Sequence, residues 1–179
     1  MHPRTDEMLR HLDANRVVLR AAVDSVLPEL RETRPAPDRW SVAEILEHLH
    51  RVEDQLTRFL GAKLGEAKAA GQLVPAADTS SIAGSLSHDL ITDRRRVFTA
   101  GERVLPKGEM DSAAALAALE SVRHRLRDLV VSLDGLSLDG FTHPHPAVGP
   151  INGYQWFLFI GSHEARHAAQ IREIAAARA

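Results

Sequence analysis

The stretch GSHEARHAAQI, residues 161–171, contains His163-Glu164-Ala165-Arg166-His167, an H-E-x-x-H pattern. On a helix this spacing puts two imidazoles on one face with a carboxylate beside them. Two folds use such a helix differently. A zinc protease usually sets it after a strand and takes a third ligand downstream, whereas a helical bundle takes ligands from facing helices. The residues that follow His167, AAQIREIAAARA, hold one carboxylate, Glu173, and no histidine. The extended protease form needs glycine and histidine where this chain has Ile171 and Ile174. No strand pattern precedes the helix, so the protease reading fails on context.

Working outward, four segments carry helical periodicity and none of useful length alternates like a strand. The first runs from about Thr5 to Leu27, with Met8, Leu12, Leu19, Val23 and Leu27 at helical spacing and Pro28 at its end. A proline-rich linker, RPAPDRW at 34–40, separates it from the second. That helix opens on Ser41-Val42-Ala43-Glu44, a capping box, and continues to about Ala69 near Gly71. The third spans about Asp111 to Leu133 and stops at Gly135; the fourth begins near Ile151 and reaches the C-terminus. HPHPAVGP just before it is too rich in proline to be helical. Residues 71–110 form a less regular crossover, with moderate helical character from Gly84 to Arg103. The expectation is an all-α, single-domain four-helix bundle over residues 1–179, with a long crossover between helices two and three.

Composition narrows the function classes. The chain has 179 residues, 22 basic and 24 acidic side chains and a formal charge of -2, which offers no electrostatic case for nucleic acid or an anionic membrane. There is no cysteine, so disulfides, thiolate metal ligands and a protein thiol nucleophile are excluded. The N-terminus, MHPRTDEMLRHLD, lacks an apolar core of the signal-peptide kind, and no run is long enough to span a membrane. A cytoplasmic location is expected. What stands out is ten histidines.

Their azimuths sort them. At about 100° per residue, His163 and His167 fall within about 40° of Trp156, Ile160 and Ile174, in the middle of the apolar stripe, while Glu164 and Arg166 lie to either side. A single histidine on an apolar face is most often a satisfied core residue. Two inward imidazoles need two sets of polar partners, and one shared metal supplies both. In EHLH, residues 47–50, His48 sits at the edge of the stripe formed by Val42, Ile45, Leu49, Val52 and Leu56. His50 falls about 120° from its centre and should meet solvent. His48, His163 and His167 therefore make a candidate three-nitrogen site. Three protein ligands leave positions open for water or substrate, as catalytic sites do. His2, His11 and His124 read as surface residues, and His88 lies in the crossover. His143 and His145 could line a pocket mouth, though an ordinary turn is the simpler reading. Trp156 should pack beneath the site.

RWSVAEILEHLHRVEDQL, followed more than a hundred residues later by Trp156 and His163-x-x-x-His167, resembles the DinB-like superfamily. That group includes the DinB proteins, the YfiT-like bacillithiol transferases and the mycothiol-dependent maleylpyruvate isomerases. The likeness covers residues 5 to 175. It implies an up-down-down-up bundle, often dimeric, that binds a divalent metal through three histidines, which fall on His48, His163 and His167. Glu164 becomes an intervening position with no ligand role. The resemblance implies a metal-dependent enzyme, a thiol S-transferase or related transferase or hydrolase using a low-molecular-weight thiol and a small-molecule substrate. Zn²⁺ is the expected metal, with Ni²⁺ or Fe also suited to imidazole. The alternative of another class is a non-catalytic metal-binding bundle serving in stress response or assembly. Val17, Val18 and Leu19 together exceed what one buried face requires, which adds the expectation of a homodimer.

Overall fold

The computed structural model describes residues 1–177. Four long helices dominate: α1 (Pro3–Asp24), α2 (Val42–Ala69), α4 (Ser112–Ser132) and α5 (Gly153–Ala176), with a one-turn helix α3 (His88–Thr92) in the crossover. Local chemistry sets their ends. Ser41 accepts from the Glu44 amide while the Glu44 side chain accepts from the Ser41 amide, the reciprocal box legible in the sequence. Asp111 caps α4 through the Ala114 amide. Gly71 and Gly135 take positive φ (69° and 74°) just past the ends of α2 and α4, a conformation that a Cβ would strain.

Pairing across the bundle gives the directions. His11 meets Leu158 and Arg16 meets Glu164, so α1 and α5 run parallel. Arg123 meets Glu53 and Lys68 meets Ser132, so α2 and α4 run parallel. His48 lies beside His167 and Phe59 beside Trp156, so α2 opposes α5. The order is up-down-down-up.

The segment before α5 departs from the expectation of no strand. Thr142–His145 (β1) and Gly149–Asn152 (β2) form an antiparallel hairpin in which Pro144 faces Pro150 and His145 faces Gly149. Neither proline has an N–H, so that pair occupies a non-hydrogen-bonded position of the ladder, where none is needed. Four-residue strands broken by proline carry no readable alternation. Ile151 accordingly lies in β2, and α5 starts at Gly153 under a second reciprocal cap, Asn152 with Gln155. The C-terminal end of the expected fourth helix, residues 178–179, lies outside the described residues.

Two apolar clusters fill the bundle, one including Leu12, Leu60, Leu126 and Phe157, the other Leu19, Ile45, Leu119 and Ile171. Between them every long helix contributes one ion: Arg16, Glu53, Arg123 and Glu164. Arg16 Nη2 lies 2.6 Å from Glu164 Oε1 and 3.1 Å from Glu53 Oε2. Arg123 Nε lies 2.8 Å from Glu53 Oε1 and its Nη2 3.0 Å from Glu164 Oε2. Two cations against two anions make the layer neutral, which is what allows charges to be buried at all. Glu164, whose azimuth pointed sideways, is thus 1% exposed and turned into the core.

Candidate metal centre

The capping box fixes where α2 begins and hence which face His48 occupies; His163 and His167 follow from the spacing on α5. All three rings turn to one place. Ring centroids are 5.3 Å apart for His48 and His163, 5.0 Å for His48 and His167, and 4.6 Å for His163 and His167. One nitrogen from each lies within 4.8 Å of the others, and the Nε2 atoms of His163 and His167 are 3.1 Å apart. His48 and His167 are buried and His163 is partly so.

Hydrogen bonds decide which nitrogen faces the centre. His48 Nδ1 lies 2.7 Å from the Val104 carbonyl, which only accepts, so Nδ1 carries the proton and the lone pair sits on Nε2. His167 Nδ1 donates to Gln170 Oε1 at 2.8 Å, leaving its Nε2 lone pair toward His163 Nε2. Two facing Nε2 atoms need a shared proton or a shared cation between them. Such outer partners orient ligating histidines in known metal sites. Burial holds the His48, His163 and His167 imidazoles below the usual histidine range, His163 and His167 well below it, with neighbouring imidazoles adding to the effect for those two. Neutral imidazole is the form that ligates. The donor set fits a divalent ion.

The site floors a cavity of about 820 Å³. Phe59, Trp156 and Phe159 line one wall, and the crossover lines another through Ile91, Arg94 and Val104. Glu47, fully buried, ties the end of the crossover to α2 by accepting from the Lys107 and Gly108 amides at 3.1 and 2.9 Å. Trp40 leans on His48 with centroids 5.0 Å apart. Phe159 stacks on His163 at 5.6 Å and 18°. Trp156 is buried as expected, yet it also forms part of the cavity wall.

The remaining histidines divide. His50 is half-buried and stays out of the three-histidine group. His124 is exposed. His2 caps α1, its Nδ1 accepting from the Arg4 amide. His11 is no simple surface residue: its Nε2 donates to the Leu158 carbonyl at 2.9 Å, and burial pushes its pKa down. His88 Nδ1 lies 2.9 Å from Ser162 Oγ. His143 and His145 belong to the hairpin and line the cavity rather than an ordinary turn. The signal that could have found Glu164 is weak, since it owes its burial to Arg16 and Arg123, distant in sequence. That for His145 is weak because the hairpin that turns it onto Trp156 and Phe159 carries no readable pattern.

Comparison with known proteins bears on the family and the fold. The family model of the DinB superfamily matches residues 11–171. The Bacillus subtilis (strain 168) protein YuaE, described as uncharacterized, is 25% identical over 142 residues, covering 79% of this chain and 80% of its own. The crystal structure of TT2238, described as a four-helix bundle protein, superposes with a TM-score of 0.58 at 22% identity, covering 94% of this chain and 98% of that one. That likeness speaks for the fold.

Proposed function

We propose, from the premise that this chain belongs to the DinB superfamily, that His48, His163 and His167 hold one divalent ion, Zn²⁺ by preference, in a thiol S-transferase or related transferase or hydrolase. The observation that carries the reading is the convergence of three neutral imidazoles on the floor of a cavity of about 820 Å³. A closed structural site would spend its fourth ligand on the protein; this one opens onto space large enough for a small-molecule substrate. A bound ion supplies Lewis acidity, which brings the pKa of a thiol or water toward neutrality.

The chain's own residues do the rest. Val104 and Gln170 fix the His48 and His167 tautomers so that both lone pairs face inward. Trp40 holds the His48 ring by a tilted contact and Phe159 holds the His163 ring by stacking. Phe59 and Trp156 keep water from one side of the chamber and offer an apolar surface to an electrophile. The cosubstrate in this proposal is a low-molecular-weight thiol of the cytoplasm, where thiols stay reduced. No helix is long and apolar enough to cross a membrane among the described residues.

The test is metal analysis of protein purified without chelator, followed by a screen of low-molecular-weight thiols against 1-chloro-2,4-dinitrobenzene. Stoichiometric metal and thiol-dependent turnover are expected. Metal without turnover for any thiol would favour the non-catalytic bundle, and absence of metal would remove the site. A homodimer is part of the same proposal. Val17 is 66% exposed on α1 and Val131 48% exposed on α4, apolar surface that a partner copy would cover, although Leu19 is spent within the bundle. Light scattering should give about twice 19.7 kDa at tens of micromolar; the monomer mass would refute it.

A further inference from the structure

The hairpin puts into the cavity a histidine that the metal reading leaves without a task. His145 is 9% exposed and lines the chamber, its ring held 4.1 Å from Phe159 and 5.1 Å from Trp156, centroid to centroid. Phe159 in turn stacks on His163, so an unbroken aromatic wall leads from the metal ligands to His145. The ring's proton is located by one bond. The Ala147 amide donates to His145 Nδ1 at 3.1 Å. A nitrogen that accepts bears a lone pair, so the ring is neutral and its proton sits on Nε2. That Nε2–H has no hydrogen-bond partner among the described residues. Trp156 beside it, 3% exposed, also carries its indole N–H without an acceptor. A buried donor seldom goes unpaired, and the Trp156 N–H, with the cavity-lining His145 N–H beside it, points to an acceptor that arrives with a ligand. The charge of the lining says which kind. Arg39, Arg94, Arg96 and Arg166 line the chamber with one carboxylate, Asp38, and Glu173 pairs with Arg39 and Arg94, which leaves a cationic surplus. A cleft lined by one sign of charge concentrates the other.

We propose that His145 Nε2–H selects the ligand of this chamber, and that the ligand is a small organic carboxylate with a flat apolar body. The body lies along Phe59, Trp156 and Phe159, and the carboxylate accepts from His145. The inference rests on the proposed reading of the cavity as the substrate chamber, but it needs no bound metal for its test.

Phenylacetate is the probe, with ethylbenzene as the same body lacking an acceptor. In chelator-treated protein with ¹⁵N-labelled histidine at pH 7, NMR should report His145 as the Nε2-protonated tautomer, with its resonances moving on addition of phenylacetate. His145→Phe keeps a ring between Phe159 and Trp156 and deletes the donor. It should weaken phenylacetate at least tenfold while changing ethylbenzene less than threefold. His145→Gln can accept from Ala147 and still donate, and should recover most of the loss. Co²⁺ affinity, read by its visible spectrum, should be the same in all three proteins. An Nδ1-protonated His145, or equal phenylacetate affinity in wild type and His145→Phe, overturns the proposal whether or not Co²⁺ binds. Failure to bind Co²⁺ with phenylacetate selectivity intact overturns the metal reading and leaves this one standing.

Discussion

Two truncations on one face of α5 separate ligation from packing at the scale of the residue. Ile160 is 3% exposed in the apolar core, and Ile160→Ala should cost about 2–4 kcal/mol by leaving a cavity, with chelator or with metal. His167→Ala should behave otherwise. In the metal-free protein it relieves crowding among three imidazoles, so stability changes little. An ion that binds only the folded state raises the melting temperature by mass action, so Zn²⁺ should raise that of wild type and not that of His167→Ala. Thermal melts of the three proteins, with chelator and with Zn²⁺, decide it; equal metal-induced shifts in wild type and His167→Ala would make His167 core filling. Glu164→Gln asks a different question of the same helix. The substitution keeps the volume but leaves Glu53 as the one buried carboxylate between Arg16 and Arg123, with the partly exposed Glu120 reaching Arg16 only from the side. A loss of about 3–5 kcal/mol in urea unfolding is expected. A loss below 1 kcal/mol would mean that the layer is not electrostatically closed.

Helix spacing turns on Gly161. A Cβ there would lie 2.5 Å from His11 Cδ2 and 2.6 Å from His11 Nε2, so the glycine lets α1 approach α5 closely enough for His11 to donate to the Leu158 carbonyl. Gly161→Ala should therefore cost about 1–3 kcal/mol through overpacking. In a His11→Ala background the clash is gone and the cost should shrink, a coupling that a double-mutant cycle in urea reads directly. An undiminished cost would place the strain elsewhere. The element scale also shows where a pattern can be read. Ser41, Glu44, Asp111, Gly71 and Gly135 act within a few residues of themselves, and their helix ends were legible. The hairpin was not, because Pro144 and Pro150 erase its alternation and its packing comes from Phe59, Trp156 and Phe159 on the long helices.

Over the whole molecule, titration links the histidines to stability. His11, His48, His50, His163 and His167 all have pKa values held below 6.5 by burial, and burial lowers that of His145 to about 4. Each stays neutral in the folded protein where the unfolded chain takes up a proton. Their contribution is therefore complete above pH 6.5 and is lost as pH falls toward the folded values. Glu7, Glu44 and Glu47 are likewise lowered, so a second loss follows below about pH 4.5. Glu53, raised chiefly by burial, acts in the opposite direction, one group against many. The urea midpoint of chelator-treated protein should fall steadily from pH 7 to pH 5, before the carboxylates titrate. A flat profile over that interval would show that the histidines are not buried in the neutral form.

The sequence by itself determined the four long helices, the Ser41–Glu44 cap of α2 and the inward pair His163 and His167, because a period of 3.6 residues and a four-residue spacing are local properties of the chain. It placed His48 by the same azimuth. Tertiary structure alone decided what Glu164 does. A carboxylate beside an apolar stripe looks solvent-facing until a guanidinium 148 residues away in sequence is brought against it. It also decided that the Val104 carbonyl, 56 residues from His48, sets that ring's tautomer, and that His145 stands in the cavity wall. Ion pairs and ring tautomers depend on which groups meet across the bundle, and no periodicity along one helix encodes the groups carried by another.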